Sequence, residues 1–270
     1  MNKIKMVVTD VDGTLMEEAT GRLNPEYYEV IRQLVAQGIR VVIASGRPLI
    51  SLEKLFRPVE GLVWFIADGG PTYKTTGDAK RHGIFPQECA QGLFQDIGTI
   101  PDGDALIWGK KHIYVPNLDS QMAHLLQEEY NVELTLLPDS FASILPEPVY
   151  KVALFHTEKP LHYGNTVLIP KWEDQVSFVQ AGAWWIDCLM PNISKASALE
   201  QILIECGITP DEVMASGDNM NDVEMLRYAG VGLAVSSALP EVKAVATREI
   251  GNFKVHGVLN AWKELLTSES

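Results

Sequence analysis

Cysteine is scarce in this sequence: three in 270 residues, Cys89, Cys188 and Cys206, far apart and with no CxxC pair. An odd, scattered count argues against a disulfide framework and reads as reduced, mostly buried thiols. The six histidines form no metal-spaced cluster, and His156 and His162 are too loosely spaced for a zinc site. No apolar run approaches the roughly 18 consecutive residues of a membrane span. The opening Met1-Asn2-Lys3-Ile4-Lys5-Met6-Val7-Val8 is too short in apolar residues for a signal peptide and runs at once into Asp10 and Asp12. Basic residues are in deficit: 22 Lys and Arg against 35 Asp and Glu, a formal charge of −13, with no Lys/Arg stripe to offset it. Such a field repels polyanions and excludes nucleic acid as a natural partner; a small anionic ligand would need a metal or a placed lysine. There is no internal repeat and no low-complexity segment. What remains, 46% hydrophobic and 21% charged residues, is the composition of a soluble globular protein with a substantial core. A cytoplasmic location and a monomer or weak homo-oligomer are expected.

The first third alternates short apolar runs with amphipathic stretches. Ile4 to Thr9 reads as a buried strand that leaves Asp10 and Asp12 at its carboxyl end. Asn24-Pro25 is a helix start, Tyr28, Ile31, Leu34 and Val35 supply an apolar face, and Gly38 is the stop. Arg40 to Ala44 is a second strand ending at Ser45-Gly46-Arg47, and Leu62 to Ala67 a third ending at Asp68-Gly69-Gly70, with a helical stretch around Leu49 to Phe56 between them. The last third resumes this rhythm: a helix from Ser194 to Glu205 stopped by Gly207, a strand from Val213 to Ser216, a helix through Val223 to Ala229, a strand at Val231 to Val235, a helix from Pro240 to Ala246 and a terminal helix carrying Val258, Leu259, Trp262, Leu265 and Leu266. Alternating strand and helix predicts right-handed crossovers and a Rossmann-like α/β fold, a parallel sheet with helices on both faces. Residues 84–188 differ. Their apolar runs are short and β-like (Ala105 to Trp108, His112 to Val115, Val149 to His156, Trp184 to Cys188), with helical patches at Gln87 to Ile97 and Ser120 to Tyr130 and prolines at 138, 146, 148, 160 and 170. This predicts an α+β module inserted into a core made of residues 1–83 and 189–270.

The strongest chemical signal is Asp10-Val11-Asp12-Gly13-Thr14-Leu15 directly after the first strand. Two carboxylates two residues apart at a strand end can converge on one cation, and Gly13 lets the backbone turn its amides towards a phosphate. A surface turn is the bland alternative, but the carboxyl edge of an α/β sheet is where ligands bind. Ser45 offers a hydroxyl to a phosphoryl oxygen or, more plainly, caps a helix or turn. Lys195 opens a helix after the insert, where a lysine is ordinarily solvated. Gly217-Asp218-Asn219-Met220-Asn221-Asp222 ends another strand with two more carboxylates. Only the first and last of these stand out singly; their order at successive strand ends is what persuades.

In that order the four elements resemble the haloacid dehalogenase superfamily of phosphotransferases, and the insert resembles the large α+β cap of its Cof-type branch. The similarity extends over most of the chain: Trp185-Ile186-Asp187-Cys188-Leu189-Met190-Pro191 is similar to the strand returning from such caps, and Gly230 to Val245 with His256-Gly257-Val258 to the closing segment. Departures are Asp68 where relatives have Asn, Ala196 where Gly is usual, and Ser236-Ser237 in place of Gly-Asn. The resemblance implies a magnesium-dependent phosphatase acting on a small phosphorylated metabolite, in particular a sugar phosphate. It implies Asp10 as nucleophile, Asp12 as general acid and then base, and Mg2+ held by Asp10, the Asp12 carbonyl and Asp218. Lys195 and Ser45 would bind the phosphoryl oxygens, with Gly46 and Asn221 also facing substrate and Asp222 orienting Lys195; Arg47 is left without a firm role. A phosphomutase sharing the same aspartyl chemistry and a non-catalytic metal-binding regulatory relative are the rival readings, and a dehalogenase is weaker because Asp12 would have no task. Specificity is expected to reside in the insert. Trp184-Trp185 and Cys188 read as packing, while Asp187 and His156 are the residues of the insert most open to a catalytic reading.

Overall fold

The computed structural model describes residues 3–18, 20, 22–137 and 147–267; Pro138 and Pro146 lie outside them. Along the chain the strands are β1 (Met6–Thr9), β2 (Arg40–Ala44), β3 (Val63–Ala67), β4 (Thr72–Lys74), β5 (Lys80–Arg81), β6 (Asp104–Gly109), β7 (Ile113–Val115), β8 (Leu134–Leu136), β9 (Val149–Phe155), β10 (Ser177–Gln180), β11 (Trp185–Leu189), β12 (Val213–Gly217), β13 (Val231–Val235) and β14 (Arg248–Ile250). They form two sheets, and the chain divides into two compact units, Met1–Lys80 with Ser194–Ser270, and Arg81–Ile193.

The first unit is built on a sheet of order β14-β13-β12-β1-β2-β3-β4-β5, parallel from β14 to β3. Near-continuous apolar strands such as Val41-Val42-Ile43-Ala44, buried throughout, are what a sheet covered on both faces requires. The chain runs outward from β1 through β2 and β3, then returns at β12 on the other flank of β1. The order therefore reverses between β1 and β12, where the carboxyl ends of an open α/β sheet leave a crevice. Thr9 is in register with both Ser216 and Ile43, so the loops after β1, β2 and β12 start at the same height. β4, which turns back antiparallel on β3, is an addition to the predicted parallel sheet. Its three residues are too few to carry a readable alternation.

Helix starts follow the local chemistry. The Asn24 Oδ1 accepts the Glu26 N–H at 3.0 Å, capping helix Glu26–Ala36, whose Tyr27, Val30, Ile31 and Leu34 are buried. Ser194 caps helix Lys195–Cys206 in a reciprocal arrangement with Ser197, and Gly207 ends it in the left-handed conformation. This cap fixes Lys195 as the first helical residue.

The second unit is a largely antiparallel sheet of order β10-β11-β9-β6-β7-β8, with β7 and β8 parallel. Ile107, Val152, Leu154, Ile186 and Cys188 pack on one face with Cys89, Ala90, Leu93 and Ile97 of helix Gln87–Ile97. The division falls at 80/81 and 193/194, against the expected 83/84 and 188/189. On the returning side the reason is pairing: Leu189 is matched to Ser177, so β11 belongs wholly to the insert's sheet. Pro160 opens a continuous helical run, Pro160–Tyr163, a π-helical stretch Gly164–Leu168 and Ile169–Trp172, and Pro170 lies within that run. Proline in the first turn of a helix loses no hydrogen bond, so Pro160 marks a beginning as readily as a break. Among the described residues no helix is long and apolar enough to cross a membrane.

Candidate active site

Asp10 is the residue after β1, and its N–H donates to the Ser216 carbonyl at 2.9 Å, which locks it to β12. Its Oδ1 accepts a hydrogen bond from the Lys195 Nζ at 2.7 Å, and the same ammonium donates to the Asp222 Oδ1, also at 2.7 Å. Lys195 and Asp222 are fully buried and Asp10 nearly so. The Asp222 Oδ2 accepts the N–H groups of Asp218 and Asn219, at 3.0 and 3.1 Å, closing the loop after β12 into one short turn. The Asp218 Oδ1 accepts from the Thr14 hydroxyl at 2.7 Å. Gly13 has φ +82, and a Cβ there would fall on the Asp218 carboxylate. A Cβ at Gly217 would meet the Asp222 Cβ at 2.5 Å. Glycine at 13 lets the two loops approach this closely, and glycine at 217 lets the second loop fold back on its own Asp222.

Oxygen atoms of Asp10, Asp218 and Asp222 all lie within 4.8 Å of one another. Among the described residues, the ammonium ion-paired within this cluster is Lys195, which touches Asp10 and Asp222, so the three carboxylates, if all ionised, carry two negative charges in excess, three minus one. That surplus matches one divalent cation, and an all-oxygen donor set suits a hard one. The titration behaviour of the metal-free site carries the same message. Burial pulls the Lys195 ammonium down, but the Asp10 and Asp222 carboxylates outweigh it and hold the lysine above its ordinary value. Burial pushes the Asp10 carboxyl well up, as do the Asp222 and Asp218 charges, against the pull of Lys195. Asp218 is pushed up to about 7, first by burial and then by the Asp222 charge.

A stability prediction follows with a definite sign. The folded value for Asp218, about 7, lies above its ordinary 3.8. Its contribution to the metal-free fold is therefore present below the unfolded value and lost as pH rises towards the folded one. A bound cation favours the carboxylate and reverses that loss. Millimolar magnesium is expected to raise the melting temperature by several degrees at about pH 8 and much less at about pH 5.5. Equal shifts at both values, or none, would show that these carboxylates do not share a cation.

Asp12 is not part of the carboxylate cluster. Its side chain is held by Arg47, Nε to Oδ2 at 2.7 Å and Nη2 to Oδ1 at 2.6 Å. The Ser45 Oγ accepts the Arg47 N–H at 3.2 Å, and the helix that follows begins at Leu49 with Pro48 as its cap residue. The hydroxyl thus closes a turn of its own loop and is not that helix's cap. Gly46 is half-buried on the same loop, and Asn221 is half-buried on the turn Met220–Asp222. Asp68 adopts φ +61, a left-handed position that Asp and Asn tolerate alike, and its N–H donates to the Arg47 carbonyl at 2.9 Å. In the insert, Asp187 is paired with Lys151 at 2.7 Å, both buried, and the His156 Nδ1 accepts the N–H groups of Glu158 and Lys159. Trp185 packs on Phe155 with ring centroids 4.8 Å apart, and burial pushes the Cys188 thiol well up. Thr14, whose hydroxyl holds Asp218, and Arg47, which holds Asp12, carry interactions that sequence reasoning did not assign.

Comparison with known proteins decides the family, because the sequence model of the haloacid dehalogenase-like hydrolases matches residues 7–261. The chain belongs to this family. It is 27% identical to the 5-amino-6-(5-phospho-D-ribitylamino)uracil phosphatase YbjI of Escherichia coli, over 99% of this chain and 98% of that protein. A solved structure from Eubacterium rectale is 32% identical with a TM-score of 0.83, covering 97% of this chain and 98% of its own. A haloacid dehalogenase-like hydrolase from Bacteroides thetaiotaomicron has the same fold, with a TM-score of 0.81 at 24% identity over 97% of this chain and 100% of that one. The chain is an enzyme of this family, a phosphatase, with the α/β core and inserted cap that the family's structures share.

Proposed function

We propose that this phosphatase hydrolyses a small phosphorylated metabolite, a sugar or sugar-alcohol phosphate, through a covalent phosphoryl intermediate on Asp10. The observation that carries the reading is the Lys195 ammonium, fully buried and hydrogen-bonded to both Asp10 and Asp222 at the crevice beside β1. A lysine so placed keeps Asp10 aimed and offers fixed positive charge where phosphoryl oxygens gain negative charge. The phosphorylated ribityl compound in the name of the Escherichia coli relative supports a polyhydroxylated leaving group.

In the first step an Asp10 carboxylate oxygen bonds phosphorus in line as the bond to the leaving oxygen breaks, and that oxygen takes a proton from Asp12. In the second step Asp12 takes a proton from water as the water oxygen bonds phosphorus and the bond to Asp10 breaks, which frees phosphate and restores the aspartate. Ser45 donates its hydroxyl to a phosphoryl oxygen, with Gly46 and Asn221 completing the contacts. Asp10, Asp218 and the Asp12 carbonyl would hold magnesium, whose charge would offset that of the substrate so that a carboxylate can approach a phosphate dianion. The insert would read the leaving group, since every residue given a chemical role lies outside 84–188. A cytoplasmic location fits these substrates.

A panel of phosphorylated metabolites assayed for free phosphate, with magnesium and after exhaustive chelation, tests the reading. Stoichiometric phosphate and dephosphorylated product, lost on chelation and restored by magnesium without zinc, are expected. Phosphate moved to a second position or a second metabolite would make the enzyme a mutase, and full activity after chelation would remove the cation from the mechanism.

A further inference from the structure

Asp12 has two opposite tasks in the proposed cycle, giving a proton in the first half and taking one in the second. Both depend on where its carboxylate stands, and the structure shows what holds it. The two Asp12 oxygens are each met by one N–H of the Arg47 fork, from Nε at 2.7 Å and from Nη2 at 2.6 Å, the side-on arrangement in which a guanidinium fixes a carboxylate's plane as well as its distance. The Arg47 side chain is only 2% exposed, whereas that of Asp12 is 18% exposed. The arginine is the anchored partner. Its Nη2 also donates to the Thr20 carbonyl at 2.8 Å, its N–H is taken by the Ser45 Oγ, and its carbonyl accepts the Asp68 N–H. One residue thereby ties together the loops after β1, β2 and β3. Its Nε–H and both Nη2 hydrogens are committed to Asp12 and Thr20.

We propose that Arg47 is a positioning residue for Asp12, aiming its carboxylate in both half-reactions without binding the phosphoryl group itself. The inference rests on Asp12 being the acid and base. Lysine cannot replace Arg47 in this role, because a single ammonium on a flexible stem holds one oxygen and leaves the plane of the carboxylate unset.

The two half-reactions can be separated by the leaving group. Breaking the bond to p-nitrophenolate needs no proton, whereas breaking the bond to an alkyl alkoxide does. Arg47→Lys and Arg47→Ala are each expected to release p-nitrophenolate from its phosphate in a burst equal to the enzyme present, at a rate near wild type. Slow turnover should follow, because water activation is impaired. Turnover of an alkyl phosphate such as glycerol phosphate should fall by about 10²-fold or more with KM changed only a few-fold. Guanidinium ion added in solution should restore part of the loss in Arg47→Ala and none in Arg47→Lys. Equal losses on both substrates with no burst, in a variant that melts like wild type, would overturn the proposal and place Arg47 on the phosphoryl group or in the fold. Asp12→Asn run alongside separates the two levels: if it shows neither burst nor split, the reading of Asp12 fails, and if it shows both while the Arg47 variants show neither, only the role of Arg47 fails. Should Arg47→Ala not fold, Arg47→Lys decides, since it keeps the buried charge.

Discussion

Replacing Asp10 by asparagine is expected to lower kcat by at least about 10⁴-fold, the scale on which loss of a covalent nucleophile is felt, while leaving the fold intact. The amide has the same shape, and the backbone at this position is set by its N–H bond to Ser216, not by the side chain. Lys195 keeps Asp222 as a partner at 2.7 Å. Chemically, the amide nitrogen and oxygen are poor nucleophiles for phosphorus, and a charged cation ligand disappears with the carboxylate. The stability effect has the opposite sign to the activity effect. Burial and two neighbouring carboxylates push the Asp10 carboxyl well up, so its charge costs the metal-free fold free energy. The metal-free variant should therefore melt at or above the wild-type temperature near neutral pH. Activity within tenfold of wild type would remove Asp10 from the nucleophile's place.

Lys195→Met has the larger expected effect on folding. The ammonium is fully buried and touches both Asp10 and Asp222, with side chains 8% and 0% exposed. Taking it away leaves three clustered carboxylates without the ion pairs that Asp10 and Asp222 make among the described residues. Breaking a buried pair in this way costs about 3–5 kcal/mol. Without the ammonium the carboxyls should take up protons more readily still, so the metal-free variant should be most stable at lower pH than wild type and be partly rescued by magnesium. Even where it folds, kcat should be reduced by about 10²–10³-fold through loss of charge at the transferring phosphoryl group. A melting curve indistinguishable from wild type without a cation, at about pH 8, would contradict the electrostatic account of the site.

The parts of this site that lie in one short stretch were legible in the sequence, and those that depend on packing were not. Asp10-Val11-Asp12-Gly13-Thr14 announces itself because an apolar strand gives way to acid and glycine at once, as does Asp218 after its own strand. Ser45 and Lys195 do not stand out singly and were singled out by the order of the four elements and the family resemblance it carries. The same local rules gave the core its strands and helices. Sequence could not show that the Thr14 hydroxyl would meet Asp218, 204 positions away, or that the Arg47 fork would close on Asp12 and not on a ligand. Those contacts are set by the register of β1 against β12 and β2, which brings Thr9 level with Ser216 and Ile43. In the insert, proline opens a helix at Pro160, and β11 pairs as far as Leu189, neither of which a local pattern shows. The antiparallel turn-back of β4 left no periodic trace in three residues.

The most direct test of the account is to catch the intermediate. Asp12→Asn should form the phosphoryl bond to Asp10 with a good leaving group and then hydrolyse it slowly, so that it accumulates. The variant would be mixed with p-nitrophenyl phosphate and magnesium, quenched in acid within the first turnover and treated with borohydride, which reduces an acyl phosphate to an alcohol. Peptide mass spectrometry should find aspartate converted to homoserine at position 10 and nowhere else, in proportion to the p-nitrophenolate released. Full release of p-nitrophenolate with Asp10 unmodified, or with the label on another residue, would contradict the account.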